Sequence, residues 1–272
     1  MSKTPGTTPL QQGNNSPVFA SYAHYYDLLY RDKDYQAEVD YVAGLIRRFH
    51  PGARSIMELG SGTGKHAKLL AEAGYHVHGI ERSPEMLARA AASAKEYPMG
   101  ARTDRLDFTQ EDIRTVRLGK HFDAVVALFH VMSYQTTNED VRAAFETARR
   151  HLNKGGIFIF DVWYGPAVLT KRPETRIKRV KDEKTEITRL AEPVLHPNEN
   201  LVAVNYHVFV RDLASKTVAE LKETHAMRYF FKPEIELWSS VTGFTPKHAA
   251  EWFTEQPIST ATWGACFCLQ AL

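Results

Sequence analysis

Three glycines stand at alternate positions in Glu58-Leu59-Gly60-Ser61-Gly62-Thr63-Gly64-Lys65-His66, directly after the apolar run Ser55-Ile56-Met57. Glycine accepts positive φ and lets a ligand approach the backbone closely. A strand, this turn and a helix over Lys65–Ala73 would form the opening unit of a nucleotide-binding α/β sheet. Spacing narrows the ligand. A dinucleotide fingerprint needs its third glycine where this chain has Lys65, and a Walker loop needs Gly-Lys-Ser/Thr where it has Gly64-Lys65-His66.

The elements that would position this turn follow from periodicity. Tyr22–Tyr30 is unusually aromatic, and reads either as a helix packed on the sheet or as a lid over a cofactor. Tyr35–Phe49 carries a helical apolar face and ends at Pro51-Gly52. A second strand, Tyr75–Ile80, ends at Glu81, and Ser83 then caps a helix with Pro84 in its first turn. Leu106–Gln110 is a third strand. Phe122–Leu128 is a continuous apolar run, as expected of a parallel strand buried on both faces. A helix over Asn138–Leu152 leads to a fifth strand, Ile157–Phe160, closed by Asp161. Strand and helix alternate five times, which predicts a parallel sheet with right-handed crossovers.

From Gly165 the period changes. Arg176–Val180, Lys184–Leu195, Leu201–Asp212 and Thr217–Phe231 read as long strands of an antiparallel meander, followed by a helix over Lys232–Thr242 and closing strands over His248–Phe253 and Trp263–Leu269. The expected architecture is α/β, a mostly parallel sheet with an antiparallel β-meander inserted after strand five. Residues 1–18 are expected to be a disordered tail, 19–164 with 243–272 one domain, and 165–242 a subdomain covering the substrate.

Ligands of open α/β sheets sit beyond the carboxyl ends of the strands, and here those ends carry Glu58, Glu81, Asp112, Tyr134 and Asp161. A carboxylate at Glu81 can accept from two vicinal ribose hydroxyls. Asp112, with the Ile113 backbone beside it, can accept from an adenine amino group. Together with the glycine turn they describe a bound adenosine whose tail lies along Gly60–Gly64, and no cluster is present for a triphosphate. That combination resembles class I S-adenosylmethionine (SAM) methyltransferases, whose motif I reads Glu-x-Gly-x-Gly-x-Gly; their sheet is Rossmann-like and S-adenosyl-L-homocysteine is their product. Aromatic faces near a sulfonium attract it, which suits Tyr30 and Tyr134, while Asp161 or Tyr134 could orient the nucleophile or take its proton. Tyr35, Arg82, Met86 and Phe129 are expected at the cofactor, and Tyr26, Trp163 and Trp263 at the acceptor.

The segment Phe129–Tyr134 lacks the Asn/Asp-Pro-Pro-Tyr of nucleic-acid amine methylases, and no Pro-Cys nucleophile is present there. Tyr25–Tyr30, Lys33-Asp34-Tyr35, the glycine turn, Glu111–Arg114, Phe129–Tyr134 and Asp161–Tyr164 instead resemble the dTDP-3-amino-3,6-dideoxyhexose N,N-dimethyltransferases over residues 19 to 270. The resemblance implies a tyrosine at position 30 near the transferring methyl, Tyr134 in the active site, and Asp161 and Trp163 facing the sugar. It also implies a dTDP-sugar as the small-molecule acceptor, and a homodimer. The chain departs from that pattern with Asp161 for glutamate, Val162 for proline and Trp263 for an arginine. Six basic residues between Lys171 and Lys181, against Glu174 alone, suit either a substrate diphosphate or a lysine-guarded strand edge.

Composition sets the remaining bounds. A chain of 272 residues, 43% hydrophobic, suits one large α/β domain or a domain with an insertion. Its net charge of +2 argues against a nucleic-acid partner, and no apolar run approaches a membrane span. Residues 1–17 lack the apolar core of a signal peptide. Cys266 and Cys268 read as buried free thiols in a reducing cytoplasm. The twelve histidines show no metal-ligand spacing, so no metal is expected. Competing readings are a methyltransferase for another small amine or hydroxyl metabolite, a non-catalytic SAM-binding protein, and a nucleic-acid methyltransferase.

Overall fold

The computed structural model describes residues 23–95 and 105–272, so the N-terminal tail lies outside the described residues. Two helices, α1 (Ala23–Leu29) and α2 (Tyr35–Phe49), precede the first strand. Then follow β1 (Ser55–Leu59), α3 (Lys65–Glu72), β2 (His76–Glu81), α4 (Pro84–Lys95), β3 (Leu106–Gln110), β4 (Phe122–Ala127), α5 (Asn138–Arg150) and β5 (Leu152–Tyr164). A short α6 (Gly165–Thr170) leads into β6 (Arg176–Lys181), β7 (Thr185–His196), β8 (Leu201–Asp212) and β9 (Val218–Phe230). The chain closes with α7 (Lys232–Val241), β10 (Phe244–Glu251) and β11 (Gly264–Ala271).

Strands β3, β2, β1, β4 and β5 lie side by side and parallel. On the far side β11 runs antiparallel to β5, with Phe267 opposite Phe160, and β10 pairs antiparallel with β11. Alternation of side chains sorts the core into two layers. Phe158, Phe160 and Val162 of β5 pack with Phe145 of α5 and Ile235 of α7, whereas Ile157 and Ile159 face Val39, Val42 and Ile46 of α2. Cys266 and Cys268 are free, buried thiols in the α2 layer, on one face as their spacing predicts.

The expected mostly parallel sheet with its antiparallel meander is thus the observed fold, with three differences of detail. No helix joins β3 to β4. Residues 111–121 cross as turns, held by Thr115 and Val116 N–H groups donating to the Asp112 carbonyl. Helix α6 precedes the meander, with Pro166 in its first turn, where proline's missing N–H costs nothing. The largest difference is in β5, which runs from Leu152 to Tyr164 and leaves Asp161 inside the strand instead of closing it. Its last residues, Trp163 and Tyr164, pair in parallel with Tyr229 and Phe230 of β9. Through this short seam the β6–β9 meander is joined to the parallel sheet and set over its carboxyl edge.

Candidate active site

A cavity of about 850 Å³ lies between the carboxyl ends of β1, β2 and β4, helix α1 and the inner faces of β8 and β9. The glycine turn forms its floor. All three glycines have positive φ (+70°, +56° and +77° for Gly60, Gly62 and Gly64), each for its own reason. A side chain on Gly60 would fall 2.7 Å from Val131, and one on Gly64 would fall 2.9 Å from both Ala90 and Phe108. Around Gly62 there is open space, so its backbone presents itself to the cavity. The Gly60 and Ser61 N–H groups donate to the Ile80 carbonyl at 2.8 and 2.9 Å, strapping the turn to the end of β2.

Glu81 stands at that end. Its Oε2 accepts from Gly62 N at 2.8 Å and its Oε1 from Ser83 N at 2.7 Å, and the residue is 9% exposed. Burial pushes its carboxyl above the usual range, against the opposing pull of these backbone donors. Each oxygen keeps a lone pair, so the carboxylate is aimed into the cavity with capacity for two more donors. Asp112 is differently placed. Arg114 grips it with a fork, Nε to Oδ1 at 2.9 Å and a terminal nitrogen to Oδ2 at 2.6 Å, and a second nitrogen of Arg114 reaches Asp140 at 2.7 Å. That grip holds the Asp112 carboxyl below its ordinary value. An adenine amino group there would share an acceptor already engaged by Arg114. Arg82, Met86 and Ile113 line the same end.

Aromatic rings form the middle. Tyr30 meets Phe129 edge-on at 5.2 Å and Tyr26 at 4.7 Å. The rings of Tyr35 and Phe129 hold the Lys33 ammonium between them, 4.2 and 4.4 Å from their centroids, which shows that these faces attract a cation. Helix α1 is both packing element and roof, so the two readings of its aromatics do not exclude each other. Leu29 is fully buried against Ile187 and Val208 of the meander. On the other side Asp27 accepts from Thr63 Oγ1 and pairs with Lys65, both at 3.0 Å.

Three expected site residues do not line the cavity. Gly64 lies behind the turn, against α4. Glu58 points beneath the turn, 1% exposed, its Oε1 3.9 Å from His66 Nδ1, and burial pushes its carboxyl up to about 8. Asp161 is completely buried and cannot touch an acceptor, because the extra length of β5 places it between layers. It reaches the cavity through His130, whose N–H donates to Oδ2 at 3.1 Å. His130 Nδ1 also lies 2.6 Å from Oδ2, an ion-pair approach whose angle falls short of an aligned hydrogen bond.

Sequence reasoning missed His130, and also His225. The Tyr134 hydroxyl meets His225 Nδ1 at 2.9 Å, and His225 Nε2 meets Glu223 at 3.2 Å, so Tyr134 begins a buried relay into β9. The signal for His130 was its place just after strand four; His225 lies in a strand with no motif. The rings of Trp163 and Trp263 lie 5.9 Å apart, tilted by 60°, on the cavity wall. Of the basic segment, Arg176 reaches the cavity and Lys178 lies 5.7 Å over the Tyr30 ring. Arg189 of β7, not singled out from sequence, donates to the Tyr30 hydroxyl at 3.1 Å. Among the described residues no group of three or more His, Cys, Asp or Glu side chains could hold a metal ion, and no helix is long and apolar enough to cross a membrane.

This floor, acid and aromatic wall fit an adenosine sulfonium, and comparison with known proteins agrees. Residues 56–156 match the model of a methyltransferase domain. The chain is 30% identical to dTDP-3-amino-3,4,6-trideoxy-alpha-D-glucopyranose N,N-dimethyltransferase of Streptomyces venezuelae over 82% of its length and 89% of that protein's. It is 26% identical to dTDP-3-amino-3,6-dideoxy-alpha-D-glucopyranose N,N-dimethyltransferase of Streptomyces fradiae, over 82% of this chain and 83% of that one. The crystal structure of Streptomyces venezuelae DesVI superposes with a TM-score of 0.76 at 25% identity, covering 92% of this chain and 98% of that one. The protein is a SAM-dependent methyltransferase. More narrowly, the chain belongs to the methyltransferase family that contains these sugar N,N-dimethyltransferases.

Proposed function

We propose that the acceptor is the amine of a dTDP-linked amino deoxysugar. The observation that carries this reading is the likeness to two dTDP-amino-sugar N,N-dimethyltransferases along more than four-fifths of the chain. The cavity supports it, because one chamber runs from the glycine turn to the β8–β9 wall and has room for an acceptor beside the cofactor.

When bound, SAM supplies an electrophilic methyl group on a sulfonium. The chain's own residues bind and align. In this reading Gly62, Glu81 and Asp112 hold the adenosine with Met86, Ile113 and Arg82, and Tyr30, Tyr35 and Phe129 face the sulfonium. Tyr26, Tyr134, Trp163 and Trp263 hold the sugar, and residues 165–242 act as the subdomain that covers it. Gly64 and Glu58 act by shaping the turn from behind. Arg176 is placed to meet a substrate phosphate. Alignment of nucleophile, methyl carbon and sulfur is the main catalytic contribution, since a well-oriented pair gains ~7–11 kcal/mol over free encounter. A homodimer in the cytoplasm, where Cys266 and Cys268 stay reduced, belongs to the same proposal; sedimentation velocity tests the dimer.

Incubation with methyl-labelled SAM and a panel of dTDP-amino sugars tests the acceptor. Label is expected on nitrogen in at least one panel member, as read by mass spectrometry. Transfer to hydroxyl acceptors alone would overturn the amine.

A further inference from the structure

His130 and Asp161 form a pair that neither the cofactor floor nor the core requires. Asp161 is fully buried inside β5, where an uncompensated charge is strongly unfavourable. Its nearest compensation is His130, with Nδ1 at 2.6 Å and the backbone N at 3.1 Å from the same Oδ2. His130 and Phe129 before it both have φ of +64°, a strained left-handed conformation that non-glycine residues seldom adopt. Strain of this kind persists where surrounding contacts impose it, and here it turns the imidazole toward the cavity.

The ring stands between the two halves of the site. Phe129, on the cofactor side, is 5.6 Å from it, and Trp163, on the acceptor side, is 6.2 Å from it. A carboxylate oxygen 2.6 Å from Nδ1 favours, by its charge, the neutral tautomer with the proton on that nitrogen and the lone pair on Nε2. Nε2 has no hydrogen-bond partner among the described residues, and His130 lines the cavity. An alkylamine is largely protonated near neutral pH, as lysine with its pKa of ~10.4 illustrates, and must lose a proton before its nitrogen can attack.

We propose that His130 is the general base that deprotonates the acceptor amine, with Asp161 as its positioning residue. The role rests on the amine reading above. The substrate ammonium gives one proton to Nε2, leaving an imidazolium stabilised by Asp161. The freed lone pair forms the nitrogen–carbon bond as the methyl carbon–sulfur bond breaks. The electron pair of the broken bond stays on sulfur, which leaves as a neutral thioether, and the imidazolium returns its proton to water. Lys33, His66 and Cys266 feel the Asp161 charge from the α1–α2 connection, α3 and β11.

The test uses His130→Asn, because asparagine tolerates the left-handed backbone, and Asp161→Asn, which keeps an acceptor for the His130 amide. His130→Asn is expected to lower kcat at pH 7 by about a hundredfold or more, with SAM affinity by calorimetry within about threefold. Its residual rate should keep rising with pH as the amine deprotonates unaided. Asp161→Asn should lower kcat by at least about tenfold and let the Nε2–H tautomer of His130 appear, because the carboxylate beside Nδ1 is gone. A merely structural role would leave the tautomer as it is in wild type. Nitrogen NMR of the wild-type imidazole should report the Nδ1–H tautomer, which requires no acceptor. The inference is overturned by kcat within about fivefold of wild type in His130→Asn, by an unchanged tautomer in Asp161→Asn, or by the Nε2–H tautomer in wild type. If wild type methylates no amine, the proposed function fails and the base with it; if it methylates one and His130→Asn is unaffected, only the base fails.

Discussion

Replacement of Glu81 by alanine isolates the ribose contact. The carboxylate already accepts from Gly62 N and Ser83 N at 2.8 and 2.7 Å, and two lone pairs remain for the vicinal hydroxyls. Charge-assisted hydrogen bonds are worth ~1.5–3 kcal/mol each, so losing both ribose bonds removes ~3–6 kcal/mol, a hundredfold or more in Kd at ~1.4 kcal/mol per decade. The two orphaned amides face a cavity that water can enter, which puts their cost near the low end of ~1–3 kcal/mol each and should leave the variant folded. Calorimetry with SAM measures the first effect and thermal unfolding the second. A cleaner readout compares S-adenosylhomocysteine with its 2′-deoxy analogue. Wild type should prefer the ribose form clearly, whereas Glu81→Ala should bind the two alike. Binding of SAM within about threefold of wild type, under ~0.7 kcal/mol, would refute the ribose assignment.

Tyr134→Phe removes the hydroxyl that meets His225 Nδ1 at 2.9 Å, and should lower kcat more than SAM affinity in steady-state assays; a loss confined to affinity would make Tyr134 a cofactor residue. Gly64→Ala places a methyl 2.9 Å from Ala90 and Phe108 at φ +77°, and should lower stability by ~1–3 kcal/mol in urea titration. Glu58→Gln should change stability in a pH-dependent way. With its carboxyl raised to about 8 from the ordinary 4.5, the folded protein stays protonated where the unfolded chain ionises, so wild-type stability falls as pH rises from 4.5 to 8. The glutamine variant escapes that loss, so its melting temperature should exceed wild type by at least ~4 °C at pH 8 and match it near pH 4.5; equal melting at both pH values would contradict the burial argument.

Local chemistry made the cofactor half legible in the chain. Gly60, Gly62 and Gly64 are needed where φ is positive, and glycine is the residue that adopts it freely, so their spacing alone separated this turn from dinucleotide and triphosphate loops. Glu81 follows from the same logic, because a strand's last residue lies where its period ends. The meander was readable too, since long alternating strands and turns such as Pro197–Asn200 carry their own pattern. What periodicity hides is where a strand stops when its apolar run is prolonged by a partner. The β11 and β9 pairings extend β5 to Tyr164, and this moved Asp161 from the site into the core.

The same long-range contacts decided the cavity wall opposite the glycine turn. His225 meets Tyr134 across 91 positions of chain and His130 meets Asp161 across 31, pairings that no local spacing encodes. The hold of Arg114 on Asp112 and the position of Lys33 between Tyr35 and Phe129 likewise depend on side-chain competition, which a strand-end rule ignores. The sequence by itself therefore determined the sheet, the glycine turn and the methyl donor, because backbone conformation and periodicity are local properties. The tertiary structure alone decided which imidazole and which aromatic rings line the cavity opposite the glycine turn, because that depends on how the meander closes over the strand ends.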